Sequence, residues 1–192
     1  MSPTRENALA RRVPFREARQ RILVYGGQAE SAYLAGLYTL AANPAVVVRP
    51  APEPVTADEV IALAEEYRRR HPDEVDQVWC VLDAEEADLP TLRMRAVEAD
   101  VELGVSNPCF ELWLLLHHVE RAPGLMSRDG AVRILRQHLP DYDRMRLDFA
   151  DFQKGLGMAV DLARSLETGE MTNPSSGMWR LATRVFGQKR IE

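Results

Sequence analysis

The chain has 192 residues, 46% of them hydrophobic and 28% charged, with a formal net charge of -5 at pH 7. That length and apolar content suit one domain with a full core. No stretch approaches the eighteen or so apolar residues of a membrane span, and no apolar signal segment follows the charged N-terminus, so a soluble cytoplasmic protein is expected. Cys80 and Cys109 have neither a disulfide framework nor metal-ligand spacing, which points to buried thiols and sets a structural zinc site aside.

Along the chain, residues 1–20 read as a basic arm: Arg5, Arg11, Arg12, Arg16 and Arg19 outnumber Glu6 and Glu17, so the remaining chain is more acidic than the total. Such an arm either touches nucleic acid or an acidic partner or is a solvated terminus. A single α/β domain is expected over 21–186, with a short tail at 187–192. Arg21 to Tyr25 is an apolar strand that stops at Gly26-Gly27, and Ala29 to Ala42 reads as a helix. Ala45 to Val48 is a second strand. Thr56 and Glu59 make a capping box before a helix over Asp58 to Arg70, with Val60, Leu63, Ala64 and Tyr67 as its apolar stripe. Val78 to Leu82 is a third strand ending at Asp83, and a short helix over Leu89 to Val97 leads to a fourth at Val101 to Val105.

This alternation predicts a mostly parallel sheet of about four strands with helices on both faces. After the fourth strand comes a strongly apolar helix, with Asn107 as its N-cap, Pro108 at its first position and Glu111 in its first turn. It runs to His117 and His118, which read as core or C-terminal groups. The remainder is predicted to be helical, over Ser127 or Arg128 to His138, Phe149 to Leu166 and Ser175 to Phe186. Trp79 and Trp113 read as core; Trp179, beside the small polar loop from Asn173 to Gly177, is open between a stacking surface and a helix cap.

Three loops follow strands and are expected to meet at the carboxyl edge of the sheet, where open α/β sheets bind ligands. Gly26-Gly27-Gln28-Ala29-Glu30 offers backbone amides to a phosphate or is a tight turn; it lacks the spacing of a dinucleotide loop and the Lys-Ser or Lys-Thr of a P-loop. Asp83-Ala84-Glu85-Glu86-Ala87-Asp88 is a candidate magnesium or manganese loop or a solvated acidic turn. Ser106 and Asn107 with Glu111 complete the edge.

Ile22 to Glu30 with Tyr33, then Val78 to Asp83, then Ser106 to His117, then Asn173-Pro174-Ser175-Ser176, resemble in order and spacing the RloB-like family. The longest element is Asn-Pro-Cys-Phe-Glu-Leu-Trp-Leu-Leu-Leu-His. The resemblance implies a TOPRIM-like α/β fold, an association with bacterial restriction and phage defence, and an acidic magnesium site. It also implies a glutamate after the first strand as general acid or base, and an Asp-x-Asp after a later strand as metal ligands. Where the family reads Glu-Gly-Lys-Thr-Glu, this chain has Gly26-Gly27-Gln28-Ala29-Glu30, so Gly26 replaces the first glutamate. Where it reads Asp-Arg-Asp, this chain has Asp83-Ala84-Glu85.

Three functions follow as expectations. One is a catalytically degenerate binding or sensing component of a defence system, with nucleic acid and other defence proteins as partners. A second is a metal-dependent nuclease or phosphoryl-transfer enzyme in which Asp83 and Glu85 hold Mg2+ or Mn2+ and Glu30 or Glu111 replaces the missing acid-base group. A third is a nucleotide or small-molecule hydrolase.

Overall fold

The structure, a computed structural model, describes residues 21–52, 56–84, 88–167 and 171–186. The basic arm at 1–20, Glu85 and Glu86 of the acidic loop, and the tail at 187–192 lie outside the described residues. Among the described residues one sheet of five strands is seen: β1 (Ile22–Gly26), β2 (Val46–Pro50), β3 (Gln77–Asp83), β4 (Glu102–Asn107) and β5 (Ser175–Ser176), in the spatial order β2-β1-β3-β4-β5. The first four are parallel and β5 is antiparallel to β4.

Helices α1 (Gln28–Ala41), α2 (Ala57–Arg70) and α3 (Leu89–Glu98) provide the crossovers. Their placement divides the core in two. Ile22 and Val24 of β1 and Trp79 and Val81 of β3 face α1, α4 (Phe110–Leu115), α6 (Leu156–Ser165) and α7 (Met178–Phe186). Leu23, Tyr25, Val78, Cys80 and Leu82 face α2 and α3. Strands buried on both faces explain the continuous apolar runs. The capping box forms as expected, with Thr56 N–H donating to Glu59 Oε2 at 2.7 Å and Glu59 N–H to Thr56 Oγ1 at 3.3 Å.

The connection from β2 to β3 crosses over β1, so the sheet reverses its direction of growth between β1 and β3. A crevice opens at the carboxyl ends of two such strands, because the helices that follow them leave toward opposite faces. Gly26 ends β1 and Asp83 ends β3.

Three expectations need correction. Asn107 does not cap the apolar helix: it is the last residue of β4, paired with Ser175, and its Nδ2 donates to the Met171 carbonyl at 2.7 Å. Pro108, after a cis peptide bond, precedes the helix, and α4 covers only Phe110–Leu115. The segment from Phe149 is not one helix, because Phe149 and Phe152 turn inward around Tyr33 through two 3-10 turns before α6 begins. Ser175–Ser176 add a strand to the sheet, and α7 starts only at Met178.

His117 is a core group. Its Nδ1 lies 2.9 Å from the Trp113 carbonyl, which can only accept, so Nδ1 carries the proton and Nε2 accepts from the Tyr33 hydroxyl at 2.9 Å. Burial pushes its pKa down to about 3, which keeps the ring neutral at pH 7. Tyr33→Phe strands Nε2 as a buried acceptor and is expected to cost ~1–3 kcal/mol in urea unfolding; an unchanged midpoint would show that the pair contributes nothing.

Candidate functional site

Three carboxylates converge at the crevice between β1 and β3. Glu30 comes from the first turn of α1, Asp83 from the end of β3 and Glu111 from the first turn of α4. Glu30 and Glu111 have side chains only 3% exposed and that of Asp83 is 17% exposed. Asp83 also does the work expected of Asn107: its Oδ1 accepts from the Phe110 N–H at 2.7 Å, capping α4 from a neighbouring strand. That bond ties the start of the helix carrying Glu111 to the end of β3.

Buried like charges at this spacing need cations, and two arginines supply them. Arg144 Nη2 donates to Glu30 Oε1 at 2.7 Å, Arg144 Nη1 to Glu111 Oε1 at 2.7 Å, and Arg144 Nη2 is 3.8 Å from Asp83 Oδ2. Arg128, the first residue of α5 (Arg128–His138), donates through Nη2 to Asp83 Oδ2 at 2.8 Å and sits 3.7 Å from Glu111 Oε2. The Tyr142 hydroxyl donates to Glu111 Oε1 at 3.2 Å. Arg144 thus stands between the three acids as a fork whose two nitrogens reach separate helices.

The balance of burial and charge differs at each acid. Burial raises the Glu30 pKa to about 7, against the opposing pull of Arg144, and the charges of Asp83 and Glu111 add to the rise. Burial also holds Asp83 above the ordinary aspartate range despite Arg144 and Arg128. At Glu111 burial again pushes upward, but the Arg144 charge and hydrogen bond help bring the group below its usual value. Three carboxylates therefore face two guanidiniums, and Glu30 is the group that takes up a proton near neutrality. Glu30 Oε2 and Glu111 Oε2 are buried with no hydrogen-bond partner.

Of the residues expected at the edge, the structure brings Gly26, Asp83, Glu30 and Glu111 to one place. Glu85, the second expected ligand, lies outside the described residues. Ser106 pairs with Asp83 in the sheet and hydrogen-bonds Ser176 Oγ at 2.8 Å, so its hydroxyl is satisfied inside the protein. Gly27 is the N-cap residue of α1. Gly26 has no left-handed backbone; its importance is space, since a Cβ there would lie 2.9 Å from Glu30 Cβ. The missing side chain at 26 leaves the room that Glu30 occupies.

Arg144, Arg128 and Tyr142 were not among the expected site residues. Arg144 and Tyr142 lie in a mixed-charge stretch between helices, among Asp141, Asp143, Arg146 and Asp148, where no sequence signal sets them apart. The site does not fit a divalent ion as it is arranged. Among the described residues no group of three His, Cys, Asp or Glu side chains is set to hold a metal, and Oε1 of Glu30 and of Glu111 already accepts from Arg144 while Asp83 Oδ2 accepts from Arg128. The two cysteines are buried free thiols, each pushed up to about 12 by burial, with no role as nucleophiles.

No helix among the described residues is long and apolar enough to cross a membrane. No curated protein and no solved structure matches the chain. The family model described as RloB-like protein matches residues 22–185, which takes in every strand and helix of the site, and the chain belongs to the RloB-like family.

Proposed function

We propose that this chain is a non-catalytic, TOPRIM-like binding or sensing component of a bacterial restriction or phage-defence system, acting in the cytoplasm with nucleic acid and other defence proteins as its partners. The observation that carries this reading is Arg144, whose guanidinium bridges Glu30 and Glu111 beside Asp83 and neutralises in cis the acids that phosphoryl-transfer chemistry needs free. Gly26 supports it, because the position of the family's first glutamate carries no acid. A fold can persist after its chemistry is lost, since packing and catalysis depend on different residues.

The test is cleavage. The unmodified protein is expected to leave single- and double-stranded DNA and RNA intact with Mg2+ or Mn2+, because a general acid-base group is typically responsible for ~10²–10⁴-fold in rate. Robust cleavage that Asp83→Asn abolishes would overturn the reading.

One observation favours a second reading, an active magnesium- or manganese-dependent nuclease or phosphoryl-transfer enzyme. Glu30 is buried beside the crevice with its pKa raised to about 7, the range in which a carboxyl serves as general acid or base at neutral pH. On that reading Glu30→Gln removes the activity while Glu111→Gln changes the metal requirement.

A further inference from the structure

We infer that the stacked rings of His118 and His138 form an acid-released latch on α5: while both are neutral the stack ties the end of that helix to the chain leaving α4, and a proton on His118 turns its ring away from His138 toward Asp151. The inference stands apart from the acidic crevice and from the proposed function, since none of these three residues belongs to that site.

His118 follows the buried His117 in the turn after α4, and His138 is the exposed last residue of α5. Their ring centroids lie 5.8 Å apart with 20° between the planes, and His118 also meets Phe152 edge to face at 5.5 Å. Phe152 is a core residue, so the ring is closed off on that side. His118 Nε2 is buried without a hydrogen-bond partner. A neutral imidazole protonates only one nitrogen, whereas the cation carries a donor on both, so charging the ring in this place leaves a buried N–H unpaired.

The charged ring meets a second obstacle and has one escape. His138 faces it from α5, Asp151 faces it from the 3-10 turn Phe149–Asp151, and its chain neighbour His117 is held neutral between Trp113 and Tyr33. Burial pushes the His118 pKa below the ordinary histidine value of 6.5, the charge of His138 adds to this, and Asp151 pulls the other way. Two imidazoliums at stacking distance repel, while one beside a carboxylate gains a charge-assisted hydrogen bond. Asp151 lines, with Leu139 and Phe152, a cavity of about 260 Å³, which gives the end of α5 room to move. The other end of the same helix delivers Arg128 to Asp83, so the latch bears on an element of the crevice. A histidine whose folded pKa is lowered takes up its proton more readily once exposed, so opening is favoured as the pH falls below about 6.5.

Amide hydrogen exchange of the full chain at pH 7.5 and 5.5, compared as protection factors, tests this. Protection across 136–140 is expected to fall by about three- to tenfold at the lower pH, the upper limit being one proton taken up on opening. Acid acts oppositely through Glu30, whose raised pKa adds stability as the pH falls. An equal loss across the amides of β1 and β3 would show general weakening and overturn the inference. His118→Gln is expected to abolish the pH dependence at 136–140, and dependence that persists in this folded variant overturns the inference as well. Asp151→Asn keeps the stack but removes the acceptor of the charged ring, so the pH at which NMR shows His118 taking up its proton should drop; an unmoved midpoint overturns the part given to Asp151. Should His118→Gln not fold, the unmodified chain decides: the nuclear Overhauser contact between the two rings is expected to vanish as His118 is protonated, and a contact that survives protonation overturns the latch.

Discussion

Arg144→Gln is expected to destabilise the protein by ~2–3 kcal/mol near pH 8, below the usual range for breaking a buried ion pair because a third of the arginine side chain meets water. For a domain of this size that corresponds to a fall in Tm of roughly 4–12 °C. The deficit comes from leaving Glu30 and Glu111, both 3% exposed at the side chain, without their shared guanidinium. It should shrink as the pH is lowered. Burial holds the Glu30 pKa at about 7 against an ordinary value of 4.5, and removing Arg144 removes the main influence that lowers it. A carboxyl whose folded pKa is raised contributes stability below its unfolded value and loses it as the pH climbs through the folded one. Between pH 4.5 and 7 Glu30 is protonated in both folded proteins and both lose stability alike, whereas above pH 7 only the variant, whose Glu30 pKa is raised further, goes on losing it, so the deficit from Glu30 opens toward pH 8. Urea unfolding near pH 5 and pH 8 measures this; an equal deficit at each would show that Arg144 acts by packing alone.

How far the site was legible in the sequence depends on how local each signal is. The capping box at Thr56 and Glu59 involves residues three apart and was readable. Asp83, Glu30 and Glu111 were also readable, because strand ends and first helical turns are defined by neighbouring residues and the parallel order brings them to one edge. Asn107 misled for a physical reason: an asparagine before Pro-Cys-Phe suits a helix cap, but the ladder to Ser175 claims its backbone and Asp83, 27 residues before Phe110, supplies the cap. β5 escaped notice because two residues carry no periodicity. Arg144 was invisible in principle, since its partners stand 33 and 114 residues away and nothing in its own surroundings announces them. The acids of the cluster were local knowledge; the cation that decides its chemistry was not.

Gly155→Ala should have an effect of similar size by a different route. A Cβ at Gly155 would lie 1.9 Å from the His117 carbonyl oxygen and 2.7 Å from its carbon, backbone atoms with no rotamer to yield. Gly155 is not in the left-handed region, with φ of -92°, so the cost is space rather than conformation. Overpacking of this kind costs typically ~1–3 kcal/mol, and a backbone collision belongs at the upper end, a loss of roughly 6–12 °C in Tm. Gly124→Ala, which meets nothing within 4 Å, is the matched control and should stay within about 0.5 kcal/mol. The collision also bears on the site. His117 lies in the turn after α4, the helix that carries Glu111, while Gly155 leads into α6 just after Phe149 and Phe152 pack around Tyr33 of α1, the helix that carries Glu30. Forcing these two backbones apart disturbs the frame that holds Arg144 between its acids but adds or removes no charge. The Gly155→Ala deficit should therefore be nearly the same near pH 5 and pH 8, whereas that of Arg144→Gln grows with pH. A Gly155→Ala deficit that also grew with pH would mean that its main effect is to dislodge Arg144, and that the arginine depends on this packing more than its lightly buried turn indicates.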